Sequence, residues 1–193
     1  MPQIRTVCVY CGSSGAVDER YRAAATELGT ALAEGGIELV YGGGHRGLMG
    51  LLADAALAAG GRVTGIIPAA MREAEWAHEG VSELLVVDTM HTRKRLMAEK
   101  AEAFAILPGG VGTLDETFEI LSWRQLRLHD KPIFLVDIGG YWRPLRTLFD
   151  HIAETGFAPP PVPNFVQVVD DVPGLMAALA VAAPGHRARA DLL

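Results

Sequence analysis

Ala103-Phe104-Ala105-Ile106-Leu107 runs directly into Pro108-Gly109-Gly110-Val111-Gly112-Thr113-Leu114-Asp115-Glu116. A short apolar run, a glycine loop and then a helical pattern read as strand, turn and helix. Leu114, Phe118, Leu121 and Gln125 share one helical row, with Trp123 and Leu126 beside it, and this row is expected to meet the core. A glycine loop at that junction exposes backbone N–H groups at the positive end of a helix, a ready site for a phosphate. Glu116 places a carboxylate within the same few residues.

The alternation continues in both directions. Strand-like runs fall at residues 5–10, 38–41, 62–67, 83–87, 103–107, 132–136 and 164–169. Several are almost continuously apolar, as parallel strands covered on both faces are. The segments between them are amphipathic; Tyr21, Ala25, Leu28 and Leu32, for example, recur at helical spacing. The expected fold is α/β: a doubly wound, Rossmann-like parallel sheet of about seven strands flanked by helices. Ligands of such sheets bind at the carboxyl ends of the strands, near a switch in strand order. One nucleotide-binding domain over residues 1–183 accounts for the pattern, with 184–193 expected as a frayed tail. Residues 158–163 hold four prolines and read as a stiff loop rather than a domain boundary.

Composition narrows the class. The 193 residues are half apolar, and mean hydropathy is +0.22. No apolar run approaches the ~20 residues of a spanning helix, and the N-terminus lacks a signal-peptide pattern, so a cytoplasmic protein with no membrane partner is expected. A net charge of −6 argues against a nucleic-acid polymer as partner. The two cysteines, Cys8 and Cys11, are three apart on a strand and face opposite ways, which disfavours a redox pair. The histidines are scattered, and no metal site is expected.

A second glycine loop, Gly42-Gly43-Gly44-His45-Arg46-Gly47, follows the second strand and opens a helix over 48–59. It matches the dinucleotide fingerprint formally, but the next strand ends Gly65-Ile66-Ile67-Pro68 with no acid for the ribose hydroxyls. A redox dinucleotide is therefore disfavoured. Three successive glycines plus Gly47 suggest backbone brought close to a ligand. Neither loop carries the Lys-Ser/Thr of a P-loop, so ATP hydrolysis is disfavoured and a monophosphate fits better.

Met90-His91-Thr92-Arg93-Lys94-Arg95 puts three cations in succession after the fourth strand. A charge run is ordinarily a solvated helix face. Arg93, Met97 and Lys100 share a face, however, and an arginine there would meet the rim carrying both glycine loops. Its planar fork suits a phosphate, ribose hydroxyls or a partner carboxylate. Thr113-Leu114-Asp115-Glu116 has the spacing of a capping box, so Glu116 reads equally as a helix cap or as a reactive acid.

Read together, these residues resemble the Lonely Guy family of nucleoside 5′-monophosphate phosphoribohydrolases, which release cytokinin bases and were long labelled lysine decarboxylases. The pattern Pro-Gly-Gly-x-Gly-Thr-x-x-Glu is present from Pro108 to Glu116, and Met-His-x-Arg-Lys from Met90 to Lys94. The family's opening motif lies at residues 9–14 and its triple-glycine segment at 42–50. Asp115 departs from the glutamate common among members but keeps its charge. The resemblance implies hydrolysis of the N-glycosidic bond of an adenosine-type 5′-monophosphate, AMP or a prenylated relative, with no cofactor and a homodimeric assembly. It assigns catalysis to Arg93 and Glu116, and substrate binding to Gly43, Gly44, Glu75, Met90, Arg93, Lys94, Gly109, Gly110, Val111, Gly112, Thr113, Leu114 and Asp115. Breaking this bond builds positive charge on the ribose, which a carboxylate can stabilise. The lysine decarboxylase label needs pyridoxal phosphate on a lysine; only Lys94, Lys100 and Lys131 exist, and none has an evident acid partner for the pyridine nitrogen. The alternative of another class is a non-catalytic nucleotide or cofactor carrier.

Overall fold

The computed structural model describes residues 4–72, 77–157 and 165–185. Its strands are β1 (Thr6–Tyr10), β2 (Glu38–Tyr41), β3 (Val63–Pro68), β4 (Glu83–Val87), β5 (Ala103–Ile106), β6 (Ile133–Val136) and β7 (Val166–Val169). The helices are α1 (Glu19–Glu34), α2 (Gly47–Ala58), the short α3 (Ala69–Arg72), α4 (Met90–Lys100), α5 (Val111–Gln125), α6 (Arg143–Glu154) and α7 (Val172–Val181). The strands form one parallel sheet in the order β4-β3-β2-β1-β5-β6-β7. The expected doubly wound sheet is what the chain forms, and each strand lies within a residue or two of its expected place. The proline-rich stretch 158–163 and the tail from 186 lie outside the described residues.

Alternation along β1 assigns the two cores. Val7, Val9 and Cys11 face one side, where α1, α2 and α7 pack through Leu28, Leu32, Leu52 and Leu175. Cys8 and Tyr10 face the other, against Met97 of α4, Ile120 and Leu121 of α5, and Phe149 of α6. The two free cysteines thus lie on opposite faces of the sheet, as period-two geometry requires. Truncating a fully buried leucine such as Leu28 or Leu52 to alanine costs ~2–5 kcal/mol.

Local chemistry fixes the helix starts. Asp18 accepts from the Arg20 N–H at 3.0 Å to cap α1. Asp171 caps α7 through the Gly174 N–H at 2.8 Å, and Thr89 caps α4 through the Thr92 N–H at 3.0 Å.

The helix expected after the fifth strand forms, and Leu114, Leu121 and Trp123 of its expected row meet the core, but its inner face is not that row alone. Thr113, Thr117, Ile120 and Leu121 are buried, whereas Phe118 is 37% and Leu126 68% exposed. The Thr117 hydroxyl donates to Thr113 O at 2.6 Å, so its polar atom is satisfied inside the helix and its methyl can pack. An apolar-row reading cannot see a threonine that behaves this way.

Strand order reverses at β1, which lies between β2 and β5. The chain segments leaving these three strands meet at one end of the sheet. Gly12 N–H donates to Pro108 O at 3.1 Å, and Leu48 N–H donates to Gly12 O at 3.0 Å. These bonds staple the segment after β1 to both glycine loops.

Candidate active site

A cavity of about 420 Å³ opens at this switch point. Arg93 and Glu116 lie on its wall together with Gly109, Gly110, Val111, Gly112 and Thr113. Residues from the β1 and β2 connections complete it, among them Cys11, Gly12, Ser13, Leu48 and Met49, with Tyr21 and Tyr141 at one side. None of these additional residues was assigned to the site from the sequence. The sign that could have found the group after β1 is its place at the carboxyl end of the strand where the order reverses.

Arg93 comes from the first turns of α4 and is 7% exposed. Its Nε donates to Ile66 O at 3.1 Å, and Nη2 donates to Gly42 O at 3.0 Å. Nη1 lies 3.4 Å from Met90 Sδ. The guanidinium thus ties the carboxyl ends of β2 and β3 together before it meets any ligand. Nη2 also lies 3.8 Å from Glu116 Oε1, an ion pair with a carboxylate whose side chain is 12% exposed.

The capping-box reading of Glu116 fails. Helix α5 starts at Val111, its N-cap is Gly110, and no side chain caps it. Thr113 therefore sits inside the first turn, and Glu116 lies in the second, on the flank facing Arg93. The glycine-rich start removes the side-chain cap and leaves first-turn N–H groups to the cavity.

The remaining sequence candidates are placed elsewhere. The Lys94 ammonium pairs with Asp115 at 3.2 Å and Glu119 at 3.0 Å, joining α4 to α5. Burial opposes its charge, but the hydrogen bonds to Glu119 and Asp115 prevail and hold its pKa above the usual lysine value. Gly43, Gly44, Met90, Lys94, Leu114 and Asp115 are not among the residues lining this cavity. Glu75 lies outside the described residues. Gly43 and Gly44 have a packing reason of their own: a Cβ on Gly43 would press on Ile66 and Ile67, and Gly44 bridges to Ala77.

Two chemistries are poorly served here. Burial, with the Glu116 charge adding to it, pushes the Cys11 thiol far up, so the cysteine on the cavity wall is no thiolate nucleophile. No lysine suits a Schiff base. Lys94 is paired, Lys100 lies 3.8 Å from Glu83, and the Lys131 ammonium is buried and donates to Ala98 O at 2.6 Å.

Histidines that looked scattered do gather beside the first loop. Possible ligand atoms of His45, Asp54 and His78 all lie within 4.8 Å of one another. Gly80 N–H donates to His78 Nδ1 at 3.2 Å, which leaves the proton on Nε2, 2.9 Å from Asp54 Oδ1. A metal on Nε2 would need that nitrogen's lone pair and a proton on Nδ1, the reverse of this arrangement. The cluster is a clasp: His78 N–H also donates to Gly43 O at 3.0 Å, holding residues 77–80 against the first loop.

Comparison with known proteins gives a consistent pattern. Residues 49–179 match the family model described as possible lysine decarboxylase. A cytokinin riboside 5′-monophosphate phosphoribohydrolase of Rhodococcoides fascians is 45% identical over 179 residues, covering 92% of this chain and 90% of that protein. One from Arabidopsis thaliana is 40% identical over 184 residues, covering 95% of this chain and 86% of its own. Among solved structures, the molybdenum cofactor carrier protein of Chlamydomonas reinhardtii superposes with a TM-score of 0.70 at 23% identity, over 91% of this chain and 95% of that one. At that identity the likeness concerns the fold.

Proposed function

The chain belongs to the family of cytokinin riboside 5′-monophosphate phosphoribohydrolases, and from that membership we propose that it hydrolyses the N-glycosidic bond of an adenosine-type 5′-monophosphate to free base and ribose 5-phosphate. The observation that carries this reading is a buried carboxylate–guanidinium pair, Glu116 and Arg93, on the wall of a cavity also formed by the bare N-terminus of α5. That pairing supplies an anion for a developing cation and N–H donors for a phosphate in one pocket.

In this mechanism the first-turn N–H groups of α5 hold the 5′-phosphate, and that remote binding energy positions the ribose. The bond from C1′ to the base breaks, with its electron pair leaving on the base nitrogen. Glu116 stabilises the resulting oxocarbenium-like ribose and accepts a proton from the water that adds to C1′. The departing base takes up a proton from solvent. Arg93 acts on Glu116: its donors to Ile66 O and Gly42 O fix the guanidinium, and the fixed charge orients the carboxylate. The same reading includes a homodimer, checked by light scattering at two protein concentrations.

Incubation with AMP and with its N6-isopentenyl derivative, followed by chromatography, tests the proposal. Free base and equimolar ribose 5-phosphate are expected, and the relative rates identify the preferred base. Nucleotide that binds and returns intact would instead make the protein a carrier.

A further inference from the structure

Three successive carbonyls at the start of α5 are each held by a donor. Pro108 O accepts from Gly12 N–H at 3.1 Å, and Gly110 O accepts from Leu114 N–H at 3.0 Å. Between them, Gly109 O accepts from the Tyr141 hydroxyl at 2.7 Å. The outer two bonds are backbone to backbone. The middle one depends on a single side chain.

That middle peptide is the one most in need of fastening. It joins Gly109 to Gly110, so no Cβ on either side resists rotation of its plane. The peptide is trans, which puts its C=O and N–H on opposite edges. Holding Gly109 O therefore sets the direction of the Gly110 N–H, at the N-cap of α5.

Tyr141 is itself held rigidly. It follows Gly139 and Gly140, both at positive φ, in the turn after β6. Buried Asp137 closes that turn by accepting from the Trp142 N–H at 2.6 Å, and Arg146 lies 3.6 Å from its other oxygen. The Tyr141 ring also meets two others at edge-to-face angles, Tyr21 at 5.4 Å and Trp142 at 4.8 Å. A clamped turn and two ring contacts aim one hydroxyl at one carbonyl.

We propose that Tyr141 is a positioning residue for phosphate recognition. Its hydroxyl locks the Gly109–Gly110 peptide so that the Gly110 N–H joins the first-turn N–H groups of α5 in holding the 5′-phosphate. The role rests on the nucleoside monophosphate reading above, but it concerns the phosphate and not the bond that breaks.

Binding of ribose 5-phosphate therefore tests it without turnover. Tyr141→Phe keeps both ring contacts and removes only the hydroxyl. Calorimetry on the full chain should show ribose 5-phosphate affinity falling up to about fivefold, the most that one neutral hydrogen bond can contribute by holding the Gly109–Gly110 peptide. The KM for AMP should rise by a similar factor while kcat stays within about twofold. The melting temperature should fall by no more than a few degrees, the share of one intramolecular hydrogen bond, and the affinity for adenine, which lacks the phosphate, should not change. Unchanged ribose 5-phosphate affinity, or an equal loss of adenine affinity, overturns the role of Tyr141. Should the wild-type chain bind no ribose 5-phosphate at all, the nucleotide reading fails first and this proposal with it.

Discussion

Two glycine loops flank β1, and they look alike only on paper. The loop at 42–47 is filled by its own protein. Gly42, Gly43 and Gly44 are buried, and a Cβ on Gly42 would collide with the Arg93 guanidinium. Gly47, at a φ of 60°, lies against the Ser13 and Ser14 backbone, where no side chain fits. The loop at 108–113 is the reverse beyond its first glycine: Gly110 and Gly112 are exposed, and a Cβ on either would meet nothing within 4 Å. Glycine is used in the first loop so that protein can approach backbone, and in the second so that something else can. Arg93 spans both, clamping the first loop and facing the acid behind the second.

The largest expected effect falls on that acid. Glu116→Gln should lower turnover about 100- to 10,000-fold, with AMP still bound and the melting temperature nearly unchanged. Retained turnover would show that the acid behind the open loop takes no part in the chemistry and would remove the division of labour between the loops. Gly42→Ala comes next. The new methyl must displace Arg93, so stability should fall by ~1–3 kcal/mol on denaturant titration, and turnover should fall with it. A stable, active variant would mean that the clamp is dispensable.

Gly112→Ala should do the opposite at the second loop. The chain should fold as well or up to ~1 kcal/mol better, because alanine is the stronger helix former. The KM for AMP should nevertheless rise about tenfold, ~1.4 kcal/mol, if ligand approaches this backbone. An unchanged KM would place the phosphate elsewhere.

The smallest effect is one of pH. The far end of α5 is anchored by buried His129, whose Nε2 donates to Ile120 O at 2.9 Å while Nδ1 accepts from Lys131 N–H at 3.2 Å. Burial lowers its pKa to about 4, with nearby cationic Lys131 and Arg124 adding and the Ile120 bond opposing. Below the ordinary histidine value the unfolded chain takes up a proton that the folded chain refuses. Stability should therefore fall as pH drops from about 6.5 towards 4, by at most ~3 kcal/mol. Melting curves across that range should show the fall, and His129→Gln should flatten it.

Much of this was readable in advance. Seven apolar runs separated by helical periods leave little choice but a parallel sheet, because only helices on both faces can cover strands that are apolar throughout. Cys8 and Cys11 were separable by strand alternation alone. Arg93 was marked by sharing a helical face with Met97, and the acid by its distance from the glycines. The inner face of α5 was read only in part, because Thr117 hides its hydroxyl on Thr113 O and so packs like an apolar residue. Glu116 carried two readings because residue spacing alone does not say at which residue a helix begins.

The sequence by itself determined the sheet, its helical layers and the two loops, since periodicity and glycine placement act over a few residues and survive in a linear pattern. Only the tertiary structure decided which loop is closed and which is open, that Lys94 and Asp115 hold helices together, and that Tyr141 reaches Gly109 from 32 positions away. Those outcomes depend on what occupies the space beside each backbone atom, and that space is filled by residues distant in the chain.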